Sequence, residues 1–364
     1  MTLGDPTARQ SKKNPHKPLP PAIQAEIERC LSLTLVRREY GSLGAYCYLN
    51  GGSDTFDEFK SGKNYHPFHG EKDLFDQHGN AIAESIQDTE RLIVVGQGPW
   101  ESIEAKELPI ISRLPNLKRV DFIDLSEDYN TAAVNGLKAY FNQQGSQVKV
   151  ESHTVNYLSE DALQAIKPMA HQTTVISTGS TFTNPVNASF EGVPKTDLAT
   201  ALDAFKGLAG DRNKVVLAYD SNNRKADLNA AYNSETLERF YLDGLRFALE
   251  NSPSIKGLDP EKVEEIFELH REWYPKSSHY AHKLRVREDA DEQVISIDNE
   301  WIKVDNIPLS PGDEFTVMSC IKPDPRLIGE LASGKSMETR FKISGPSENT
   351  VHVLKNKAPE LKAA

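Results

Sequence analysis

The feature that most constrains this chain is a rhythm that starts at Leu92. Short apolar runs at 92–96, 119–124, 148–154, 173–177 and 214–219 are separated by helical stretches such as 126–144 and 197–208. Strands that alternate with helices in this way pair in parallel, because each helix carries the chain back to the start of the next strand. In such a sheet a ligand lies beyond the carboxyl ends of the strands. The first of those ends is LIVVGQGPWES, residues 92–102, where an apolar run meets Gly96 and Gly98. Glycine lets a backbone turn sharply with a ligand directly against it. The turn is either a ligand cradle or a tight connection that holds nothing.

On either side of this core the pattern changes. PPAIQAEIERCLSL reads as an amphipathic helix with prolines at its start, and the residues before it, 1–18, as a flexible polar tail. After Asp220 come expected helices near 235–251 and 260–274, then the strand-like segments KLRVRE, EQVISI and FTVMSCI. That run breaks the alternation, so 221–318 is assigned to an inserted α+β subdomain, against which the helix of 19–30 can pack. The chain is expected to rejoin the core sheet near Ser319, with a helix near 325–333 and the strands METRFKIS and VHVLK closing it antiparallel. Residues 19–220 and 319–360 then form the main domain.

Composition narrows the partners. A length of 364 residues, 26% of them charged and 38% hydrophobic, suits a globular chain, and no apolar run reaches the roughly 18 residues of a membrane span. The basic N-terminal residues are not followed by the apolar stretch of a secretory signal. A net charge of -11 disfavours nucleic acid. Cys30, Cys47 and Cys320 are odd in number and show no C-x-x-C spacing, which argues against a disulfide framework and sets the expectation of a reducing cytoplasm. His66, His69, His279 and His282 lack acidic or thiolate partners at a metal-site spacing, so no metal is expected.

The choice of nucleotide rests on the first turn. A dinucleotide site needs a third glycine where this chain has Glu101, so that fingerprint fails. Asp124 ends the second strand, where a carboxylate can accept hydrogen bonds from both ribose hydroxyls; its plainer role is as a neighbour of a helix cap at Ser126. G-Q-G-P suits S-adenosylmethionine better than a pyrophosphate.

Four stretches, YLNGGSDTFDEFKSGKNYHP, FIDLSED, STGSTFTNP and AYDSNNRKADLNAAYN, resemble in their order and spacing the histidine-specific methyltransferase family. That family includes the histidine-trimethylating enzyme of ergothioneine synthesis and fungal N-methyltransferases of dimethylallyltryptophan. The resemblance runs from about Tyr46 to the C-terminus and implies a Rossmann-like class I methyltransferase sheet, mostly parallel with antiparallel C-terminal strands, plus an inserted substrate-binding subdomain. It implies S-adenosylmethionine as cofactor, S-adenosylhomocysteine as product and a small amino-acid-like acceptor. By resemblance, Tyr48 and Phe56 border the substrate, and Tyr65 reaches the cofactor's methionine part. Gly96, Gly98 and Asp124 hold the cofactor. Asn156 and Tyr157 stand beside the adenine, where aspartate and phenylalanine are usual. Asn184 and Tyr232 grip the two ends of the amino acid. Without the resemblance, Asn184 reads as a turn residue before Pro185 and Tyr232 as a buried helix aromatic.

One departure bears on the acceptor. The family's T-E-V-S-C stretch, whose glutamate and serine bind imidazole, aligns with Thr316 to Cys320, placing Val317 at the glutamate and Ser319 at the serine. His282 falls where the family has a methionine near the substrate, or else is a solvated strand residue. Losing a buried acceptor built for an imidazole N–H removes the main discrimination in favour of histidine. The expectation is a cytoplasmic N-methyltransferase of an amino acid or derived amine with a less polar or differently polar side chain. Tyr48, Asn184 and Tyr232 would orient the amine, and a tyrosine oxygen, His282 or water would take its proton. O- or C-methylation of a related metabolite is the alternative within enzymes, and a non-catalytic cofactor-binding protein the one outside them.

Overall fold

The computed structural model describes residues 19–38, 43–166, 172–184, 194–210 and 213–357; the tail 1–18 lies outside them. In chain order the strands are β1 (Arg91–Val95), β2 (Arg119–Asp124), β3 (Lys149–Thr154), β4 (Thr173–Ser177) and β5 (Lys214–Asp220). They are followed by β6 (Ile255–Lys256), β7 (Phe267–Tyr274), β8 (His279–Val286), β9 (Gln293–Asp298), β10 (Lys303–Leu309) and β11 (Glu314–Ile321). The last two are β12 (Met337–Ser344) and β13 (Asn349–Asn356).

Seven of these form one sheet in the order β3-β2-β1-β4-β5-β13-β12. The first five are parallel; β13 runs antiparallel to β5, and β12 antiparallel to β13. Period-two alternation explains how β1 can be apolar throughout. Leu92 and Val94 pack into the core under helices 66–85 and 127–143, while Ile93 and Val95 face the core under helices 194–209 and 325–334. Each such fully buried side chain contributes about 1.5–3 kcal/mol. The chain leaves β1 toward β2 on one side and is joined by β4 on the other, so a crevice opens above the end of β1.

A third core lies beyond that crevice. Ile27, Cys30 and Leu31 of helix Pro21–Arg37 pack with Phe240 and Leu245 of helix Glu235–Glu250 and with Phe267, Leu284 and Phe315 of the sheet β7-β8-β11. Two expectations fail here. The helix anticipated over 260–274 is a short turn at Val263–Ile266 followed by β7, because FELHREWY pairs residue by residue with β8 and only Phe267 and Leu269 are buried. The return to the core sheet near Ser319 also fails: β11 is an outer strand of the three-stranded sheet, and the main sheet resumes only at Met337.

Candidate functional site

A cleft opens above β1 between the seven-stranded sheet and the third core. Its lining includes Tyr48, Phe56, Tyr65, Gly96, Gly98, Asp124, Asn156, Tyr157, Asn184, Tyr232 and His282, so the sequence-derived candidates come together in one place. Val317 and Ser319 are the exceptions.

The turn after β1 is built for close approach. Gly96 has φ +65° and Gly98 φ +68°, a backbone that favours glycine. A Cβ on Gly96 would lie 2.4 Å from Thr181 Oγ1. Asp124 stands next to this turn at the end of β2 and accepts from the backbone of Ser126 at 2.9 Å, while Ser126 Oγ caps the following helix by accepting from Tyr129 N. Burial pushes the Asp124 carboxyl up to about 6, against the backbone hydrogen bonds that favour its charge. Asn156 Oδ1 accepts from Leu158 N at 3.0 Å, which leaves a second lone pair on that oxygen. Tyr157 stacks on Phe205 with ring centroids 5.1 Å apart and donates to Thr181 O.

Two lysines that the sequence did not single out line the same end of the cleft. Lys60 Nζ donates to Asp57 at 3.0 Å and to Ser102 Oγ at 2.7 Å. Lys106 is buried against Glu71 at 2.9 Å, and Glu71 in turn accepts from Gly179 N. No spacing marks either lysine among the others in the chain; only the fold brings them to the cleft.

The opposite end is aromatic. Tyr48 meets Phe56 and Phe240 edge-on at 4.9 and 5.0 Å. Tyr232 packs between Tyr280, Tyr65 and His282, and its hydroxyl accepts from Lys322 Nζ at 2.9 Å. His282 stacks on Tyr241, and its Nδ1 is buried with no hydrogen-bond partner. Burial, followed by the charges of Arg271 and Lys322, holds this imidazole well below its usual pKa and therefore neutral. Asn184 Oδ1 is likewise buried, with no hydrogen-bond partner among the described residues. Burial raises the phenols of Tyr48, Tyr65, Tyr232 and Tyr241 well above their ordinary range, so none is a tyrosinate at neutral pH.

The wall expected from Val317 and Ser319 is made instead by Met318 and Cys320. A register shift between Thr316 and Met318 sets Met318 opposite His282 and Cys320 opposite Tyr280. Side chains alternate across a strand, so Met318 and Cys320 face the cleft while Val317 turns into the third core. Tyr241 donates to Met318 Sδ at 3.3 Å. Among the described residues lining the cleft, Asp124 is the only carboxylate. Away from the cleft, His270, Glu272 and Glu314 come within metal-ligand distance of one another, but Lys283 binds both carboxylates and Arg285 binds Glu314. Among the described residues no helix is long and apolar enough to cross a membrane.

A family model described as histidine-specific methyltransferase, SAM-dependent, matches residues 29–353. No curated protein matches the chain. Among solved structures it is similar to the SAM-bound amino pentose methyltransferase of calicheamicin biosynthesis from Micromonospora echinaspora, at 10% identity and TM-score 0.37, covering 84% of this chain and 96% of that one. It is also similar to the 1,6-didemethyltoxoflavin-N1-methyltransferase of Burkholderia thailandensis, at 8% identity and TM-score 0.38, covering 94% and 93%. A third likeness is to the N-methyltransferase NodS of Bradyrhizobium japonicum, at 7% identity and TM-score 0.32, covering 79% and 98%.

Proposed function

Since the chain belongs to the family of histidine-specific, S-adenosylmethionine-dependent methyltransferases, we propose that it methylates the amine nitrogen of a small amino acid or amino-acid-derived amine other than histidine. The observation that supports this reading is Asn184 Oδ1, a buried acceptor without a partner among the described residues, in a cleft it shares with the neutral phenols Tyr48 and Tyr232. A buried polar atom left unpaired costs about 1–3 kcal/mol, and an amine donor would satisfy it.

The chain fits its cofactor. A Cβ on Gly98 would meet nothing nearer than Ser102 Oγ at 3.9 Å, so the turn leaves open space there, and Asp124 stands beside it, where it would accept from ribose hydroxyls. Tyr157 and the free lone pair of Asn156 would border the adenine; Tyr65, Lys60 and Lys106 would face the methionine part, with the two ammonium groups opposite its carboxylate. When bound, S-adenosylmethionine supplies an electrophilic sulfonium methyl. The remaining work belongs to the chain, which must hold the amine neutral, aligned and dry. Asn184 and Tyr48 would orient it, and the rings of Phe56, Tyr241 and His282 exclude water. His282 is a poor proton acceptor because its pKa is depressed, and the phenols are raised, so the amine would shed its proton to solvent before it is enclosed.

We further propose that residues 221–321, together with helix Pro21–Arg37, act as the acceptor-binding subdomain. The common apolar core of helix Pro21–Arg37 and the β7-β8-β11 sheet supports this division. The function is tested by incubating the protein with methyl-labelled S-adenosylmethionine and an amino-acid and metabolite pool, followed by mass spectrometry. Label on an amine nitrogen is the expected result. Label on oxygen or carbon would replace this reading with its alternative, and label in histidine alone would overturn the exclusion of that substrate.

A further inference from the structure

Lys322 is 1% exposed and Asp220, its partner at 2.7 Å, is 0% exposed. Two opposite charges removed from water at this depth are seldom more stable than an apolar pair of the same volume. Stability alone is therefore a weak reason for this lysine to be here, and its contacts point to another. Its backbone is fixed by the bond from Lys322 N to Ser278 O at 2.7 Å. Its ammonium is divided between Asp220 Oδ2 and the hydroxyl of Tyr232. Asp220 has other contacts too: Oδ1 accepts from Asn222 N, and Oδ2 lies 3.6 Å from His66 Nε2.

A phenol both donates and accepts, whereas an ammonium only donates. With Lys322 donating to its oxygen, Tyr232 is left with its own proton to give. Its ring is clamped by Tyr280, Tyr65 and His282, so the hydroxyl is held in place at the edge of the cleft. Tyr65 and Cys320 adjoin the same oxygen; a phenol and a thiol are weaker acceptors than a carboxylate. The cleft thus presents a polarised donor at Tyr232 and a bare acceptor at Asn184, the complement of a carboxylate and an amine on one molecule.

We propose that Lys322 is a positioning residue that makes Tyr232 an obligate hydrogen-bond donor, so that the cleft selects an acceptor carrying a free carboxylate over the corresponding decarboxylated amine. This rests on the reading of the protein as an amino-acid methyltransferase, and it removes Tyr232 from the groups that could take the amine proton. The test is calorimetric titration of the full chain loaded with S-adenosylhomocysteine, using the pairs tryptophan and tryptamine, tyrosine and tyramine, and histidine and histamine. Wild type should bind the amino acid of at least one pair about tenfold or more tighter than its amine, the difference a charge-assisted bond makes. The charge-balanced variant Lys322→Met/Asp220→Asn avoids a stranded buried carboxylate; it should keep its affinity for S-adenosylhomocysteine and lose the preference, as should Tyr232→Phe. A preference that survives in the double variant overturns the role of Lys322 and leaves the function standing. A wild type that binds neither member of any pair, or favours the amines, overturns the amino-acid reading and this inference with it.

Discussion

The two ends of the cleft are made in different ways. The end proposed for the cofactor is largely backbone: a glycine turn at Gly96 to Pro99 and the carboxyl ends of β2 and β3, with Asp124 as its one carboxylate among the described residues. The acceptor end is side chains gathered from distant elements, with Tyr48, Asn184, Tyr232, Tyr241, His282 and Met318 each contributed by a different one. A site made of backbone keeps its shape while side chains vary around it. A site made of packed side chains can be respecified by single substitutions, and that asymmetry lets one fold retain a cofactor while its substrate drifts.

The comparison breaks most decisively at Asp124. If Asp124 accepts from both ribose hydroxyls, as proposed, replacing it by alanine removes two charge-assisted hydrogen bonds, each of about 1.5–3 kcal/mol, so affinity for S-adenosylhomocysteine should fall by about 100-fold or more. Apo thermal stability at neutral pH should not fall, because burial disfavours the carboxylate when no ligand is present. Calorimetry and a melting curve on the same preparation check both halves; a large loss of apo stability would make Asp124 a structural residue.

The same carboxyl gives a pH dependence of definite sign. Its folded value of about 6 lies above the ordinary carboxylate value, so its contribution to apo stability is full at pH below about 4 and is lost as pH rises through 6. Cofactor binding runs the other way, since the ribose hydroxyls need the ionised form. Affinity should be level above pH 7, halve near pH 6 and be roughly tenfold lower at pH 5, and Asp124→Asn should abolish that slope. A flat profile in wild type would show that another group carries the ribose.

These effects fall on the part of the site that could be read from the chain alone, for a physical reason. Gly96, Gly98 and Asp124 act within a few residues of the strands that present them, and the alternation of strands and helices places those strand ends side by side. The acceptor end depends on register, which local pattern does not carry. FELHREWY looks helical by composition but is held as β7 by its pairing with β8, and the shifted register in β11 moves Val317 and Ser319 off the cleft. Lys60, Lys106 and Lys322 are ordinary lysines in the sequence, and burial beside carboxylates is what makes them distinctive.

At the proposed acceptor end, Asn184→Ala removes the Oδ1 that has no partner among the described residues. Acceptor affinity or kcat/KM should fall by about five- to tenfold, the size of one neutral hydrogen bond, with the cofactor dissociation constant unchanged. Equal losses for both ligands would place Asn184 between the two ends and not within the acceptor half.

The smallest expected effect is the sharpest check on register. If β11 presents Met318 and Cys320 to the cleft, Ser319→Ala should leave acceptor affinity within about twofold, because a residue on the far face of a strand does not meet the ligand. Cys320→Val should then change acceptor selectivity, since it adds volume next to Tyr232 and removes the thiol that adjoins its hydroxyl. The reverse result, with Ser319 sensitive and Cys320 silent, would mean a strand slipped by one residue. Every side chain of β11 would then exchange faces, and Val317, not Met318, would stand against the acceptor.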